Sequence, residues 1–426
     1  MRNLAVATGV VFALAASMTA CATESEAPAA TETGPADLRV WFMKDSVPPS
    51  AQELLKTQFE KENTGSTLTV EEQAWKGIVQ KLQTSLPSES QTPDLVETGN
   101  TQTSVFASVG AFSDITDQVD ELGGDSLIQS FIDSASWDGQ IYGVPLSAGS
   151  RGVYYRTDLF EKAGIEVPKT LDDLHEAIDT LQAANPDQVA DFSAIYLAAS
   201  DVHAPESWLF ANGGDYASEK DGTWTGELSS PESQQALGEL QNIWASRTKY
   251  GLDSISAANG MYNLFNEGRV GMMVGTGNVA KQIAPELLDS GKVGMFAFPG
   301  LDADEAGATF AGGSNISISA ASKNQALSQS ALEIIMGKDF QSLLASDGGW
   351  VPGNLNYADA LTGPFAEAAR EAVTTSKLTP NTPAWGVATG NNVIQNFYTR
   401  IAQGDDPAAV AKEVDAALEE TLNAGN

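Results

Sequence analysis

Four tryptophans stand beside loop signals and small polar residues, where an aromatic ring is available to a ligand. They are Trp75, Trp208, Trp350 and Trp385. The flat face of such a ring packs on the apolar face of a pyranose, while neighbouring amides and carboxylates hydrogen-bond to the sugar hydroxyls. The pattern therefore favours a site that binds a carbohydrate.

The residue types that most catalytic centres need are scarce. The chain has two histidines, His175 and His203, and one cysteine, Cys21, so a zinc site of the usual kind is not expected. Neither a GxxxxGK phosphate loop nor a GxSxG serine motif occurs. With 56 acidic residues, a carboxylate pair for glycoside hydrolysis stays open. We expect a protein without cofactor, metal or catalytic residues.

Strands and helices alternate in the first part of the chain. Short runs rich in strand formers stand at 38–43, 67–72 and 94–98, and helical patterns lie between them, from Pro49 and over 77–86. This order predicts parallel strands joined by crossover helices. Ligands in such sheets bind beyond the carboxyl ends of the strands. Those ends are Lys44 and Asp45, the stretch before Trp75, and Gly99 to Thr101.

The charge balance excludes some partners. The chain carries 23 basic and 56 acidic residues, a formal net charge of −33. Such a field repels phosphate backbones, so we expect no nucleic acid partner. It leaves a cationic ligand possible. The chain is 42% hydrophobic, which is typical of a folded protein. Its length is sufficient for two domains.

The N-terminus has the pattern of an export signal. Arg2 precedes an apolar stretch of roughly 14 residues, shorter than the ~20 needed to span a membrane. Cys21 follows Thr19 and Ala20 directly, which resembles the bacterial lipobox, with Met18 in place of the usual aliphatic residue. We therefore predict a signal peptide over 1–20, a lipid on Cys21 and a flexible tether over 21–36. The protein would be extracytoplasmic and anchored to the outer face of the cell membrane.

Five segments stand in an order that is typical of one family. They are WDGQIYGVPL, GVYYRTDLFEKAGI, FNEGRVGMMVGTGNVAKQI, GMFAFPG with GGSNISIS, and GGWVPGN. From Leu38 to about Leu422 the chain resembles the extracellular solute-binding lipoproteins of ATP-driven sugar importers, the maltodextrin-binding type. RVWFMKD with GNTQT is similar to the actinobacterial branch that binds chitobiose-like or other small oligosaccharides.

The resemblance implies an α/β fold of two lobes, each a mostly parallel sheet flanked by helices, joined by a hinge. The first lobe would comprise 37–147 and 311–347, and the second 148–310 and 348–426. The protein would be a monomer that captures a neutral di- or oligosaccharide between the lobes and delivers it to the membrane permease.

The resemblance also implies a set of ligand-binding residues. Asn278 falls where many family members carry tryptophan, and Arg151 either donates to ligand oxygens or forms an ion pair on the lobe surface. The implied set is Lys44, Asp45, Trp75, Asn100, Gln102, Arg151, Trp208, Asn278, Ser314, Asn315, Trp350 and Trp385. A binder of peptides or polyamines and, less favoured, a surface-anchored glycosidase are the alternatives.

Overall fold

The computed structural model describes residues 34–88, 90–149, 151–253 and 258–424. The strands are β1 (Asp37–Met43), β2 (Thr67–Gln73), β3 (Leu95–Gly99), β4 (Ser136–Trp137), β5 (Gln140–Ile141), β6 (Val144–Gly149), β7 (Gly152–Arg156), β8 (Ser193–Tyr196), β9 (Ala217–Lys220), β10 (Thr223–Gly226), β11 (Val270–Gly275), β12 (Val293–Ala297), β13 (Gly312–Ile318) and β14 (Val351–Pro352). The helices are α1 (Pro49–Glu62), α2 (Ile78–Ser85), α3 (Asn100–Ala107), α4 (Val119–Leu122), α5 (Gln129–Ser134), α6 (Thr157–Ala163), α7 (Leu171–Ala184), α8 (Pro205–Ala211), α9 (Pro231–Ser246), α10 (Ala258–Asn266), α11 (Pro285–Asp289), α12 (Gln325–Met336), α13 (Lys338–Ser346), α14 (Ala366–Thr374), α15 (Pro383–Ala388), α16 (Val393–Ala402) and α17 (Pro407–Leu422).

Two separate sheets form the centres of two lobes. Within the described residues, the first sheet has six strands in the order β14-β6-β13-β3-β1-β2, and the second has four in the order β12-β7-β11-β8. Helices α1, α12 and α13 cover the first sheet, and α7, α8 and α9 pack in the second lobe. The predicted two-lobed α/β architecture is confirmed.

The sheets are mixed, so the expectation of mostly parallel sheets is wrong in this detail. Strand β1 pairs in parallel with β2 and β3, and β11 with β8, as crossover helices require. The remaining pairs within these two sheets are antiparallel. The antiparallel strands include β6, β7 and β13, by which the chain passes from one lobe to the other.

Apolar spacing explains which helix faces are buried. Helix α1 buries Ala51, Leu55 and Phe59, one residue per turn, against the first sheet. Helix α7 begins at Thr170, whose side chain accepts a hydrogen bond from the Asp173 amide in a capping box. Helices α12 and α13 are separate, because the backbone is extended at Gly337 between them.

The chain passes between the lobes in three places, and these passages are bonded to one another. Strand β7 of the second lobe follows β6 of the first, and β13 returns to the first lobe. The Thr309 hydroxyl donates to the Arg151 carbonyl at 3.3 Å. The Lys377 amide, on the third passage, donates to the Thr309 carbonyl at 2.9 Å. This bonded group of strands lies at the base of the cleft between the lobes.

The last part of the chain enters the second lobe after position 348, where the second stretch of that lobe was predicted to begin. Strand β14 belongs to the first sheet, where it pairs with β6. Leu361, Ala369 and Val373 pack in a cluster with Phe131 of the first lobe. The segment also touches the second lobe, where the ring of Phe365 lies 5.1 Å from that of Tyr154. It therefore packs on both lobes before the chain enters the second core.

Candidate functional site

Two adjoining cavities fill the cleft between the lobes. The smaller, of about 410 Å³, we call the charged chamber. It is lined by Lys44, Asp45, Ser46, Trp75, Ser147, Gly149, Arg151, His203, Thr276, Phe310, Gly312, Gly313, Ser314 and Trp350. The larger, of about 640 Å³, we call the apolar chamber. Both volumes lie in the range of small-molecule sites.

The apolar chamber lies between α2 and α3 of the first lobe and α8, α15 and α16 of the second. It is lined by Val79, Thr101, Gln102, Val105, Phe106, Val202, His203, Glu206, Phe310, Thr379, Thr382, Pro383, Trp385, Gly386, Val387, Thr389, Asn392, Ile394 and Gln395. Side chains from both lobes therefore face each chamber.

His203 and Phe310 separate the two chambers. Their rings stack with centroids 4.6 Å apart and planes inclined by 9°. The Nδ1 atom of His203 contacts Oε1 of Glu206, and the other Glu206 oxygen accepts from the Tyr216 hydroxyl at 3.1 Å. The hydroxyls of Tyr216 and Tyr398 are 2.9 Å apart. This chain of contacts fixes the His203 ring from inside the second lobe.

The tyrosines of this network remain protonated. Burial raises the pKa of the Tyr216 and Tyr398 hydroxyls well above 10, and the nearby Glu206 carboxylate adds to the shift. The predicted site residues did not include His203, Glu206 or Phe310. Phe310, the stacking partner of His203, lies far away in the sequence, so no local pattern indicated this pair.

Lys44 and Asp45 follow β1 and project into the charged chamber, as predicted. Both are exposed, and Asp45 has a φ of 66°, a conformation that costs an L-residue about 1–2 kcal/mol. The side chains of Lys44, Asp45 and Arg151 make no hydrogen bond or ion pair with another described residue. Strained backbone and unpaired charges are typical of functional sites.

Arg151 lies on the second-lobe side of the charged chamber. Burial lowers the pKa of its guanidinium, and the carboxylates of Asp201 and Glu206 act against this shift. Because an arginine pKa is ordinarily above 12, the group keeps its positive charge. It lines the charged chamber and forms no ion pair with the described residues.

Trp75 and Gln102 lie together where the two chambers meet. Both pack beside Gly99, where an added Cβ atom would lie 3.5 Å from Gln102 and 3.6 Å from Trp75. Trp75 is 44% exposed. The Oε1 atom of Gln102 is buried and has no hydrogen-bond partner among the described residues. An acceptor in this state is available to a donor group of a ligand.

The structure places three predicted site residues in the interior, where they pack or bond within the protein. Trp208 is completely buried, with its ring 4.7 Å from that of Phe298 at 79°. Asn315 is also completely buried and donates to the hydroxyls of Thr103 and Ser134. Asn100 is 3% exposed and donates to the carbonyl of Ala311 at 2.8 Å, which ties α3 to a passage between the lobes.

Ser314 is in the wall of the charged chamber but donates inward. Its hydroxyl lies 2.5 Å from Oε1 of the completely buried Glu97. The other Glu97 oxygen accepts from the Met43 amide and the Ser46 hydroxyl, both at 2.6 Å. Burial raises the pKa of Glu97 from 4.5 to about 7, and these three hydrogen bonds oppose the shift.

The remaining predicted residues divide between the two chambers. Trp350 lines the charged chamber. Trp385, on α15, lines the apolar chamber and packs against Tyr216 with ring centroids 5.4 Å apart. The side chain of Asn278 lies outside the described residues, as do Cys21 and the predicted signal peptide.

The described residues contain neither a metal-binding cluster nor a membrane-spanning helix. No group of three or more His, Cys, Asp or Glu side chains is arranged to hold a metal ion in this part of the chain. Among the helices described above, none has both the length and the apolar character needed to cross a membrane.

Comparison with known proteins identifies the class. The chain belongs to the bacterial extracellular solute-binding proteins, whose family model matches residues 44–349. The diacetylchitobiose binding protein DasA of Streptomyces coelicolor is 31% identical over 389 residues, 90% of this chain and 89% of that protein. The predicted family and an extracytoplasmic location are thus confirmed.

Solved structures show the same fold at lower identity. The sugar-binding protein MalE of Xanthomonas citri superposes with a TM-score of 0.79 at 22% identity, covering 91% of this chain and 98% of that one. The GacH receptor of Streptomyces glaucescens, known unliganded and with acarbose, superposes with a TM-score of 0.72 at 21% identity and the same coverage.

Proposed function

We propose that this protein is the receptor of an ATP-driven importer and captures a neutral di- or oligosaccharide in the charged chamber. Family membership supports the transport role, and the relative DasA, named for diacetylchitobiose, supports a small N-acetylated sugar as ligand. The permease of the importer is the partner to which the ligand is delivered. The protein acts as a monomer and does no chemistry on the ligand.

The observation that carries the proposal is the pairing of an exposed indole with unpaired charges. Trp75 is 44% exposed, and Lys44, Asp45 and Arg151 line the same chamber. Covering half of an indole removes roughly 75–100 Å² of apolar surface, worth about 2 kcal/mol. Each charged group can hydrogen-bond to hydroxyls, at about 1.5–3 kcal/mol per bond. Together they suit a pyranose, which is apolar on its faces and polar at its edge.

The arrangement of these groups explains closure. Lys44, Asp45 and Trp75 belong to the first lobe and His203 to the second, and Arg151 lies on the passage that leads into β7 of the second lobe. A ligand that contacts both groups favours the closed form of the hinge, because those contacts are lost when the lobes separate. The closed form is the signal that the permease reads. A ligand that extends past His203 reaches Trp385.

The charges of the chamber weigh against the alternatives. Lys44 and Arg151 outnumber Asp45, and such a balance does not favour a polyamine. A glycosidase needs two available carboxylates about 5–10 Å apart. Glu206, the other carboxylate of the cleft, is already bound by His203 and Tyr216.

Calorimetry tests this function. N,N′-diacetylchitobiose, maltose and cellobiose are titrated into the protein, with a tetrapeptide mixture and spermidine as comparison ligands. We expect micromolar binding of at least one saccharide, a rise in Tm and a change in tryptophan fluorescence. Binding of peptides or spermidine with no response to any saccharide contradicts the proposal, and hydrolysis of a bound saccharide contradicts the absence of catalysis.

We also propose that a lipid on Cys21 holds the receptor at the outer face of the membrane. The support is the N-terminal sequence pattern, since these residues are not described by the structure. Two acyl chains suffice for stable anchoring where one does not. Cys21→Ser should move the protein from the membrane fraction to the medium, and continued membrane association of this variant would disprove the anchor.

A further inference from the structure

We propose that the apolar chamber binds a hydrophobic aglycone, an aryl or alkyl group linked to the sugar that occupies the charged chamber. The inference rests on the proposed function, because the sugar anchors the ligand. It assigns to the second chamber a group other than a further sugar residue. The ligand class is therefore a glycoside of a hydrophobic alcohol or phenol.

Several polar groups of the apolar chamber are bonded within the protein. The amide of Gln395 donates to the Ser200 carbonyl at 2.7 Å, and the Thr389 hydroxyl donates to the Trp385 carbonyl at 2.8 Å. Glu206 is held by His203 and a tyrosine hydroxyl. A sugar hydroxyl placed against these bonded groups would lose its hydration without a new partner, a cost of about 1–3 kcal/mol for each unpaired group.

Apolar side chains from both lobes are exposed around the same chamber. Val79 on α2 is 38% exposed and Val387 on α15 is 73% exposed. Val105 and Phe106 extend the surface on the first lobe. An exposed apolar surface inside a cleft that closes is covered when a ligand of matching character fills it. An aryl or alkyl group gains this contact without leaving hydroxyls unpaired.

The charged chamber has the opposite character. Lys44, Asp45 and Arg151 are free to bond to hydroxyls there. The chambers adjoin at His203 and Phe310, which line both. A single ligand can therefore place a polar part on one side of this ring pair and an apolar part on the other. Gln102, whose free oxygen lies near Trp75, supplies an acceptor at the junction.

Matched ligands test the inference by calorimetry. N,N′-diacetylchitobiose, maltose and cellobiose are each compared with their 4-nitrophenyl glycosides and with the corresponding trisaccharides. We expect the aryl glycoside of a binding disaccharide to bind about tenfold more tightly than the free sugar, as expected for partial burial of an aromatic ring. We expect the trisaccharide to gain less than the aryl glycoside.

Two valine variants locate the effect. Val79→Ser and Val387→Ser should each remove most of the gain for the aryl glycoside and leave the affinity for the free disaccharide within about twofold. Val109→Ser is the matched control, because Val109 is 75% exposed and lines neither chamber. We expect this variant to keep the full gain.

The outcomes separate the two proposals. If aryl glycosides bind no better than free disaccharides, or if trisaccharides gain as much, the aglycone inference is overturned while the oligosaccharide function stands. The inference is also overturned if the valine variants and the Val109 variant behave alike. If no saccharide binds, free or substituted, the proposed function fails and the inference with it.

Discussion

Replacing Glu97 by glutamine should change how stability depends on pH. Glu97 is completely buried and accepts hydrogen bonds from the Met43 amide and the hydroxyls of Ser46 and Ser314. Glutamine keeps the shape and removes the ionisation. Its carbonyl oxygen can accept from Met43 and Ser46, and its amide can donate to Ser314, because that hydroxyl can rotate. The variant is therefore expected to fold.

The size of the effect comes from the raised pKa. Burial raises the pKa of Glu97 from 4.5 to about 7 in the folded protein. Between these two values the unfolded chain releases a proton that the folded protein retains, so the free energy of unfolding falls as pH rises. Below pH 4.5 Glu97 is protonated in both states and does not change the free energy of unfolding. Above about pH 7 it is ionised in both states, and the cost of burying its charge lowers the free energy of unfolding in full. A pKa difference of this size corresponds to about 3 kcal/mol.

The assay is urea unfolding followed by tryptophan fluorescence between pH 4 and pH 8. Other carboxylates of the chain also respond to pH, so the quantity to compare is the difference between Glu97→Gln and the wild type. We expect the free energy of unfolding of the variant to rise relative to the wild type by about 3 kcal/mol across this range. Glu166→Gln, at an exposed position, is the control and should show no such trend.

A difference that stays constant from pH 4 to pH 8 would refute the reasoning. It would mean that Glu97 ionises in the folded protein as it does in water, despite its burial. A difference that falls with rising pH would show that the three hydrogen bonds outweigh the loss of hydration. Either result would mean that the hydrogen bonds to Glu97 offset more of the cost of its burial than the raised pKa implies.

Substitutions at three further residues test the site and the core. Trp75→Ala should weaken saccharide binding by roughly 2 kcal/mol in calorimetry with an unchanged urea midpoint, and a lowered midpoint with intact affinity would make Trp75 structural. Trp208→Ala should instead reduce the free energy of unfolding by about 3–5 kcal/mol, and a small loss would contradict its place in the core. Asp45→Gly should weaken binding and keep the free energy of unfolding. Asp45→Ala should weaken binding and also lower the free energy of unfolding by about 1 kcal/mol relative to Asp45→Gly, because φ at this position is 66°. Equal stabilities of the two variants would argue against the backbone strain.

Local patterns predicted much of the fold. The strands near 38–43, 67–72 and 94–98 were placed within a residue or so, because alternation and apolar runs depend on neighbouring residues only. The Asp-Gly pair at 138–139 is another local signal, since both residues have positive φ there, as a tight hairpin turn requires. Strand direction depends on distant pairing, and the expectation of mostly parallel sheets was wrong for that reason.

The site was predicted less well, for a physical reason. Lys44, Asp45 and Trp75 follow strands at a sheet edge, a position that local structure can indicate. Trp208 stands near loop residues in the sequence, yet every residue of α8 is buried. The helix therefore lacks the alternation of polar and apolar faces from which burial of a residue can be predicted. His203 acquires its role from a stacked partner about a hundred positions away. Burial and long-range pairing are properties of the whole fold.

The position of β13 also determines when the protein can fold during synthesis. Strand β13 lies between β6 and β3, although it follows them by more than 160 residues, so the first sheet has a gap until residue 318 has been made. The core of the second lobe needs Tyr398 and Leu418, close to the end of the chain. The first lobe can therefore be completed only late in synthesis, and the second lobe later still. Such long-range pairing slows folding, and the nascent protein therefore stays open for most of its synthesis, the state in which a polypeptide is threaded across a membrane.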